Sequence, residues 1–202
     1  MAEQNPSDEE LVQRMRTGEE DCFAALYDRW QRPIYRFALQ MTGSPAIAED
    51  VTQETFLVVI RENQYRPSRG SFGAYLYGVA RHLLLRVIKR ESRIAVTSED
   101  ELQNIANTIV SPAFDPHEGL LRKRRVELLW AAILALPVHY REVIIMCELH
   151  EMGYTEVAEV LDLSIGTVRS RLHRARATLT QRMQNGRLNA LAVPTEPDGC
   201  AI

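Results

Sequence analysis

The sequence predicts an all-α protein of two small helical domains joined by a flexible linker, with a helix-turn-helix in the C-terminal domain. Apolar residues recur at steps of three and four along most of the chain, which is the period of an amphipathic helix. Residues that start and stop helices stand at the ends of these stretches, and no segment shows the two-residue alternation of a strand. A chain of 202 residues is large for one compact domain and sufficient for two.

The N-terminal domain, predicted over residues 1–92, contains four helices. Ser7-Asp8-Glu9-Glu10 is a capping-box pattern that starts a short helix. A second helix is expected from about residue 20 to 41, and Pro33 should kink it or split it in two. Ser44 starts a third helix that runs to about residue 63. Ser71 caps a fourth helix that continues to about residue 90.

Residues 93–114 are predicted to form the linker, because polar residues interrupt the helical period there and acids outnumber bases. Helix resumes at Asp115-Pro116, stops at Pro137 and continues to about residue 151. Two shorter helices are expected at residues 155–161 and 166–183. The C-terminal domain therefore covers residues 115–185, and residues 186–202 are predicted to be a flexible tail.

Composition excludes several classes of protein. The first residues are polar and acidic, and no run of eighteen apolar residues occurs, so we expect no secretory signal and no direct membrane insertion. The three cysteines are scattered and odd in number, which is typical of a reducing cytoplasm rather than of a disulfide framework. These features predict a cytoplasmic protein.

The distribution of charge indicates a nucleic-acid partner, although the net charge is only −3. No acidic residue occurs from residue 163 to 187, a segment that contains six arginines, and a second basic group lies between residues 81 and 93. Segregated basic faces on a near-neutral chain are typical of DNA-binding proteins. Solvated helix faces with no partner are the alternative interpretation.

Residues 154–172 carry the most specific local pattern. Val157, Ala158 and Leu161 face inward on a first helix that Thr155 can cap, and Leu163 and Ile165 fill the junction. The second helix starts at Gly166 or Thr167 and turns Val168 and Leu172 to the core. This arrangement predicts a helix-turn-helix whose second helix lies in the major groove of DNA. An ordinary helical hairpin with a basic surface is the alternative.

Catalytic and metal sites have little support. His150-Glu151 resembles the start of a zinc-protease motif, but Tyr154 stands where the second histidine is required. Cys147 and His150 lie one turn apart without a second pair, which favours packing over metal binding. Asp50 and Glu54 imitate a catalytic pair, but carboxylates on a helix surface are common. We therefore expect that the protein is not an enzyme and that it binds no cofactor, metal or small-molecule substrate.

Two N-terminal segments give the chain its family resemblance. Asp50-Val51-Thr52-Gln53-Glu54-Thr55-Phe56 looks like the polymerase-binding signature of bacterial sigma factors. Residues 72–81, Phe-Gly-Ala-Tyr-Leu-Tyr-Gly-Val-Ala-Arg, resemble their promoter-melting helix. These two segments, Leu136-Pro137 and the helix-turn-helix occur in the order found in one family. The chain therefore resembles the extracytoplasmic-function group of the sigma-70 family over residues 21–183.

The resemblance implies that the third helix binds the clamp helices of the polymerase beta-prime subunit through Asp50, Gln53 and Glu54. Acidic and amide groups suit arginines on such a partner. It also implies that the loop before the fourth helix and that helix capture the minus-ten strand, whose unstacking costs a few kcal/mol per step. Aromatic and basic residues would stack and hold this strand. They are Tyr65, Arg66, Arg69, Tyr75, Arg81, His82 and Arg86.

Not every aromatic residue of this segment can face DNA. Phe72, Leu76 and Val79 lie at helical spacing, which is more typical of core residues. His82 and Arg86 stand where many members of the family carry Asn and Asp, and this departure falls within the segment that is implied to set the minus-ten preference.

The C-terminal domain is implied to bind the polymerase beta-subunit flap through the apolar helix containing Val143, Ile144 and Met146. Its helix-turn-helix would read the minus-thirty-five element, with arginines on guanine or phosphate. The reading residues are expected to be Ser164, Thr167, Arg169, Ser170, Arg171, His173 and Arg174.

The implied function is that of a transcription initiation factor, with core RNA polymerase and promoter DNA as partners. An anti-sigma factor is the usual further partner of this family. The acidic linker, with Glu99, Asp100 and Glu101, is expected to lie near the polymerase active-site channel. The alternatives are a stand-alone helix-turn-helix regulator, which should bind duplex DNA without polymerase, and a sensor protein with redox-active cysteines.

Overall fold

The fold is described by a computed structural model that covers residues 6–62, 64–95 and 116–191. These residues form helices and turns without a strand. None of the helices in these ranges combines the length and the apolar character that crossing a membrane requires. The helices are α1 (Asp8–Arg16), α2 (Glu20–Thr42), α3 (Pro45–Glu62), α4 (Phe72–Ala95), α5 (Pro116–Leu134), α6 (Val138–Ile144), α7 (Tyr154–Leu161) and α8 (Ile165–Leu191).

The start of the chain follows its local signals. The predicted capping box forms, with Glu10 N–H donating to Ser7 Oγ at 3.2 Å and Ser7 N–H donating to Glu10 Oε2 at 2.9 Å. Gly43 ends α2 in the left-handed conformation, at φ 73°, which glycine adopts without steric cost. Ser44 Oγ then accepts from Ile47 N–H at 3.4 Å, so Ser44 caps α3 as predicted.

Pro33 does not split α2, which runs through it as one helix of 23 residues. Its neighbours Ile34 and Phe37 are fully buried, so tertiary packing holds the helix across the proline. Burial of one such side chain stabilises the fold by about 1.5–3 kcal/mol, which is comparable with the cost of an interior proline.

Helices α1 to α4 form the N-terminal bundle, in which α2 packs against α1, α3 and α4. Its most deeply buried side chains include Ile34, Phe37, Met41, Leu76 and Leu84. Gly73 of α4 lies directly against the ring of Trp30, because an added Cβ would come within 2.3 Å of that ring. A side chain at Gly73 would therefore push α2 and α4 apart.

Helices α5 to α8 form the C-terminal bundle. Its buried side chains include Leu136, Val143, Met146, Val168 and Leu172. A π-helical turn, Ile145–Leu149, continues directly from α6. Helix α8 packs against α5, α6 and α7.

The two bundles contact each other through α4 and α7 and through α2 and the π-helical turn. Arg141 of α6 forms hydrogen bonds to backbone carbonyls near helix ends in both bundles. Its guanidinium donates to the carbonyls of Met41 at 2.6 Å and Leu136 at 3.0 Å, and to the carbonyl of Leu134. Burial lowers the pKa of Arg141 from its ordinary value.

The structure changes several predicted boundaries. Helix α4 continues to Ala95, beyond the predicted start of the linker, and α8 continues to Leu191, into the predicted tail. Helix α7 begins at Tyr154 with Gly153 as its N-cap, so the expected cap at Thr155 was wrong. The rest of the linker, including Glu99, Asp100 and Glu101, and the expected cap at Asp115 lie outside the described residues.

Candidate nucleic-acid and polymerase interface

Helix α3 presents a polar face to solvent. Asp50, Gln53 and Glu54 are exposed, while Val51 and Thr55 on the opposite side are buried. The hydroxyl of Thr55 donates to the carbonyl of Val51 at 2.7 Å, which satisfies this polar group inside the bundle. The three predicted polymerase-binding side chains therefore share one accessible face.

Apolar side chains extend this face toward the end of α3. Leu57 and Ile60 are 39% and 50% exposed. Exposed apolar residues next to carboxylates are typical of a protein-binding surface.

An open cavity of about 510 Å³ lies between the end of α3, the loop over residues 64–71 and α4. Its lining contains six of the seven residues predicted to bind the minus-ten strand, namely Tyr65, Arg66, Arg69, Tyr75, His82 and Arg86. Arg66, Arg69, His82 and Arg86 are all exposed. The loop and α4 thus bring together basic side chains that are up to twenty positions apart in the sequence.

Three aromatic rings support the floor of this cavity. Tyr65, Phe72 and Tyr75 form a cluster with ring centroids 5.2 to 6.3 Å apart. Phe72 and Leu76 are buried, as predicted for core residues, while Val79 is half-buried and lines the cavity. Tyr75 is also half-buried, so it offers ring surface to a ligand.

Tyr65 is 4% exposed and its hydroxyl is engaged. This hydroxyl lies 3.2 Å from Glu9 Oε1 and 3.3 Å from the carbonyl of Gly70, and it donates toward both. Burial and the nearby carboxylate of Glu9 raise the pKa of Tyr65 to about 12. In this position Tyr65 holds the loop in place rather than offering a ring face.

Arg81 lies outside the cavity and pairs with the C-terminal bundle. Its guanidinium donates to both carboxylate oxygens of Glu142 on α6, at 2.8 and 3.2 Å. The side chain of Glu142 is only 2% exposed, and Arg171 of α8 approaches the same carboxylate at 3.7 Å. One buried carboxylate therefore serves two of the predicted DNA-binding arginines.

Helices α7 and α8 form the predicted helix-turn-helix. Asp162 ends α7 in the left-handed conformation, at φ 53°. Ser164 then caps α8, with Thr167 N–H donating to Ser164 Oγ at 3.2 Å. Val168 and Leu172 are buried, as predicted, but Ile165 is 39% exposed and does not fill the junction.

The outer face of α8 carries Arg169, Ser170, His173 and Arg174, all of them exposed as the sequence predicted. The guanidinium of Arg169 lies 5.7 Å from the ring centre of Tyr154 at the start of α7. Such a cation–π contact limits the directions in which the arginine points. Ser164 and Thr167 bond to each other through their hydroxyls at 2.9 Å, so they also shape the first turn of α8.

Other arginines of the basic segment have structural partners. Arg171 approaches Glu142, Arg176 pairs with Glu148, and Arg182 donates to the carbonyl of Ala132 at 3.4 Å. The accessible basic surface of the helix-turn-helix is therefore smaller than the arginine count suggested.

The helix that is expected to bind the polymerase flap does not expose its apolar side chains. Val143, Ile144 and Met146 are buried at 0%, 5% and 0% exposure, so they belong to the core of the C-terminal bundle. Their apolar side chains stabilise the fold, and flap binding by this helix stays a prediction.

Sequence reasoning also missed the residues that join the two bundles. Glu142 and His150 carry no local signal of their role, since their partners are separated from them by 61 and 73 to 110 positions. His150 lies 2.6 Å from the hydroxyl of Tyr77 and 2.9 Å from Gln40 Oε1. Tyr77 is 5% exposed at this contact.

Fold and site define a helical protein with a basic cavity in one bundle and a helix-turn-helix in the other. Comparison with known families agrees with this division. Residues 26–94 match the family described as Sigma-70 region 2, and residues 127–179 match Sigma-70, region 4.

Curated relatives carry the same assignment. The chain is 35% identical over 149 residues to the ECF RNA polymerase sigma factor SigE of Mycolicibacterium smegmatis, covering 72% of this chain and 55% of that protein. It is 27% identical over 179 residues to the ECF RNA polymerase sigma factor SigW of Bacillus subtilis, covering 86% and 95%. The chain thus spans about half the length of SigE and nearly all of SigW.

Solved structures share the fold. The sigma factor RpoE from Bartonella quintana, in complex with the anti-sigma factor NepR, has a TM-score of 0.63 at 20% identity, covering 80% of this chain and 96% of that one. CnrH, in complex with the cytosolic domain of CnrY, has a TM-score of 0.64 at 22% identity, covering 89% and 99%. The chain belongs to the sigma-70 family of RNA polymerase sigma factors, in its extracytoplasmic-function group.

Proposed function

We propose that this chain is a sigma factor that binds core RNA polymerase in the cytoplasm and directs it to promoters. The observation that carries the proposal is the presence, in one chain, of the region 2 cavity and the region 4 helix-turn-helix in the order of the family. The N-terminal bundle captures the minus-ten element and the C-terminal bundle reads the minus-thirty-five element. Neither reaction nor cofactor is assigned to the chain itself.

Polymerase binding is assigned to the outer face of α3. Asp50, Gln53 and Glu54 supply carboxylate and amide oxygens that can accept from arginines of the beta-prime clamp helices. Leu57 and Ile60 supply apolar area beside them. A polar face with an adjoining apolar strip suits a protein partner more than DNA, because two of its polar groups are acidic.

Minus-ten recognition is assigned to the cavity. Its volume of about 510 Å³ lies within the range of roughly 300–1,000 Å³ that accepts small organic groups, so an unstacked base fits. Tyr75 offers a stacking surface, and Arg66, Arg69 and Arg86 are positioned for the phosphates of the nontemplate strand. Stacking on an aromatic ring contributes about 1–3 kcal/mol per base, which offsets the cost of separating the strands.

Minus-thirty-five recognition is assigned to α8. Arg169, His173 and Arg174 are exposed in its first turns, where a recognition helix meets base edges. Ser164, Thr167 and Ser170 supply hydroxyls for phosphates or bases, and they also order the first turn. Arg171 reaches DNA only after it leaves Glu142.

An anti-sigma factor is proposed as a further partner. The relatives of known structure, RpoE and CnrH, are complexes with NepR and with the cytosolic domain of CnrY. The exposed Leu57 and Ile60 on α3 are apolar surface that such a partner could cover.

Run-off transcription tests the proposed function. A promoter library is transcribed by bacterial core polymerase with and without this protein, and products that require it are sequenced. We expect transcripts whose upstream regions share two spaced motifs. Specific binding of duplex DNA by the protein alone, without any initiation by polymerase, would instead establish a stand-alone regulator.

A further inference from the structure

The loop at the edge of the minus-ten cavity is held at both of its ends by one side chain. The hydroxyl of Tyr65 donates toward the carbonyl of Gly70 at 3.3 Å, and the ring packs against Phe72 at a centroid distance of 5.2 Å. Arg66 and Arg69 lie between these points, and Arg69 N–H donates to the carbonyl of Arg66 at 2.9 Å. A displacement of Tyr65 would therefore carry both arginines with it.

Helix α1 fixes Tyr65 from outside the cavity. The guanidinium of Arg16, in the last turn of α1, donates to the carbonyl of Tyr65 at 2.6 Å. The carboxylate of Glu9, in the first turn, accepts from the hydroxyl of Tyr65 at 3.2 Å. Two helical turns separate Glu9 from Arg16, so the two side chains lie on one face of α1. This face therefore contacts Tyr65 at its backbone and at its hydroxyl.

Helix α1 is itself firmly anchored on α2. Leu11 and Val12 are each 2% exposed, and α1 packs along α2. Asp8 accepts from Nε1 of Trp30 at 2.9 Å and forms an ion pair with Arg29, and both partners belong to α2. Supporting side chains that are locked in this way can hold a binding site within about 0.5 Å of its required geometry.

The contacts from α1 to Tyr65 do not depend on pH in the neutral range. Burial and the carboxylate of Glu9 raise the pKa of Tyr65 to about 12, so its hydroxyl keeps the proton that it donates. The guanidinium of Arg16 stays protonated as well. Because Arg16 is exposed, its hydrogen bond adds little to the stability of the fold. Its main effect is on the position of the carbonyl that it binds.

We propose that Glu9 and Arg16 of α1 are positioning residues for minus-ten recognition, because they hold Tyr65 and thereby set the places of Arg66 and Arg69 against the nontemplate strand. The inference rests on the proposed function as a sigma factor. It adds α1 to the elements that determine how strictly the minus-ten element is read. Glu9 and Arg16 act through the loop and need not touch DNA.

Amide hydrogen exchange in the full chain tests whether α1 holds the loop. Arg16→Met removes the donor and keeps an unbranched side chain. Arg14→Met is the matched control, because Arg14 is also exposed on α1 but pairs with Glu19. We expect Arg16→Met to accelerate exchange of the amides of Arg69 and Gly70 by about three- to tenfold, and Arg14→Met to leave it unchanged. Unchanged exchange in Arg16→Met would overturn the proposal.

Minus-ten recognition is measured with the polymerase holoenzyme and a forked DNA. This DNA is double-stranded over the minus-thirty-five element and carries the minus-ten element on a single nontemplate strand. The Kd for a scrambled minus-ten motif divided by the Kd for the recovered motif gives the discrimination ratio. We expect Arg16→Met and Tyr65→Phe to lower this ratio by about three- to tenfold. Arg16→Lys, which still donates, should retain more of it, and Arg14→Met should keep the wild-type ratio.

A double-mutant cycle tests the part assigned to Glu9. Glu9→Ala and Tyr65→Phe remove the same hydrogen bond, so the combined variant should lower the discrimination ratio no further than the larger single change. Losses that multiply in the combined variant would contradict the assignment of Glu9.

A purely structural role of α1 would alter other properties too. Arg16→Met should match the wild-type protein in its affinity for core polymerase and in its penalty for a scrambled minus-thirty-five element. Equal losses at both promoter elements, or an unchanged minus-ten ratio, would overturn the proposal. A wild-type holoenzyme without discrimination at either element would instead count against the proposed function, and the exchange experiment would still decide whether α1 holds the loop.

Discussion

At the scale of single residues, Glu142 is a charged side chain in a buried position. A carboxylate that is 2% exposed is held by two arginines whose side chains are 25% and 27% exposed. Removing a buried charged partner normally destabilises a protein strongly, because the remaining charge has lost both water and its partner. Here the arginines retain some access to water, which limits the penalty.

We expect Glu142→Ala to lower the free energy of unfolding by about 1–3 kcal/mol, measured by urea denaturation. Glu148→Ala removes the partner of Arg176, but that pair is exposed and should contribute little. Arg81→Met combined with Glu142→Ala should cost less than the sum of the single changes, because the two residues interact directly. Additive costs would contradict the assigned pair.

His150 makes the stability of the protein depend on pH. Its Nε2 donates to Gln40 Oε1, and its Nδ1 accepts from the hydroxyl of Tyr77. Burial, with a smaller contribution from the positive charge of Arg36, lowers the pKa of His150 from 6.5 to about 4. The folded protein therefore keeps this imidazole neutral at pH values where an unfolded chain protonates it.

Between pH 6.5 and about 4 the unfolded state binds more protons at this position than the folded state. Stability is therefore fully present above pH 6.5 and decreases as pH falls through this window. We expect the urea concentration at the unfolding midpoint of the wild-type protein to be lower at pH 5 than at pH 7. For His150→Gln we expect a smaller decrease over the same pH range. Identical slopes for the two proteins would exclude His150 as the cause.

At the scale of helices, α8 carries both exposed arginines and arginines that pair with other side chains. Arg169 and Arg174 are exposed near its start, whereas Arg176 pairs with Glu148. We expect Arg169→Ala or Arg174→Ala to weaken binding to the minus-thirty-five element by about 1–3 kcal/mol in the polymerase complex. Arg176→Ala is the matched control and should have a smaller effect in the same electrophoretic or fluorescence assay.

The helices also show how far the sequence predicts this fold. The capping box at Ser7 and the stop and start at Gly43 and Ser44 were predicted because their partners lie within four residues. Pro33 was expected to kink or split α2, but buried neighbours hold the helix in one piece. Local signals predict most helix starts, while tertiary packing decides whether a helix continues.

The same distinction holds for the candidate site. The exposed positions of Arg169 and Arg174 follow from helical period alone, so the sequence predicted them. The burial of Val143 and Met146 could not be predicted, because an apolar residue can equally serve a core or a partner. Contacts such as Glu142 with Arg81 span 61 positions and have no signal in local sequence.

At the scale of the whole molecule, the two bundles share one core of buried apolar residues and are also joined by polar contacts. The contacts from Arg81, Ser71, Gln40 and Tyr77 to the C-terminal bundle are hydrogen bonds or ion pairs. Polar interfaces can be exchanged for contacts with water or a partner at modest net cost.

Arg141 couples the unfolding of the two bundles. Its guanidinium donates to the carbonyl of Met41 near the end of α2 and to the carbonyls of Leu134 and Leu136 at and just after the end of α5, so the end of α2 loses this donor when the C-terminal bundle unfolds. In scanning calorimetry we expect one endotherm, with a van't Hoff enthalpy equal to the calorimetric enthalpy. Arg141→Met should divide it into two endotherms, whereas an unchanged single peak would mean that other contacts couple the melting of the two bundles.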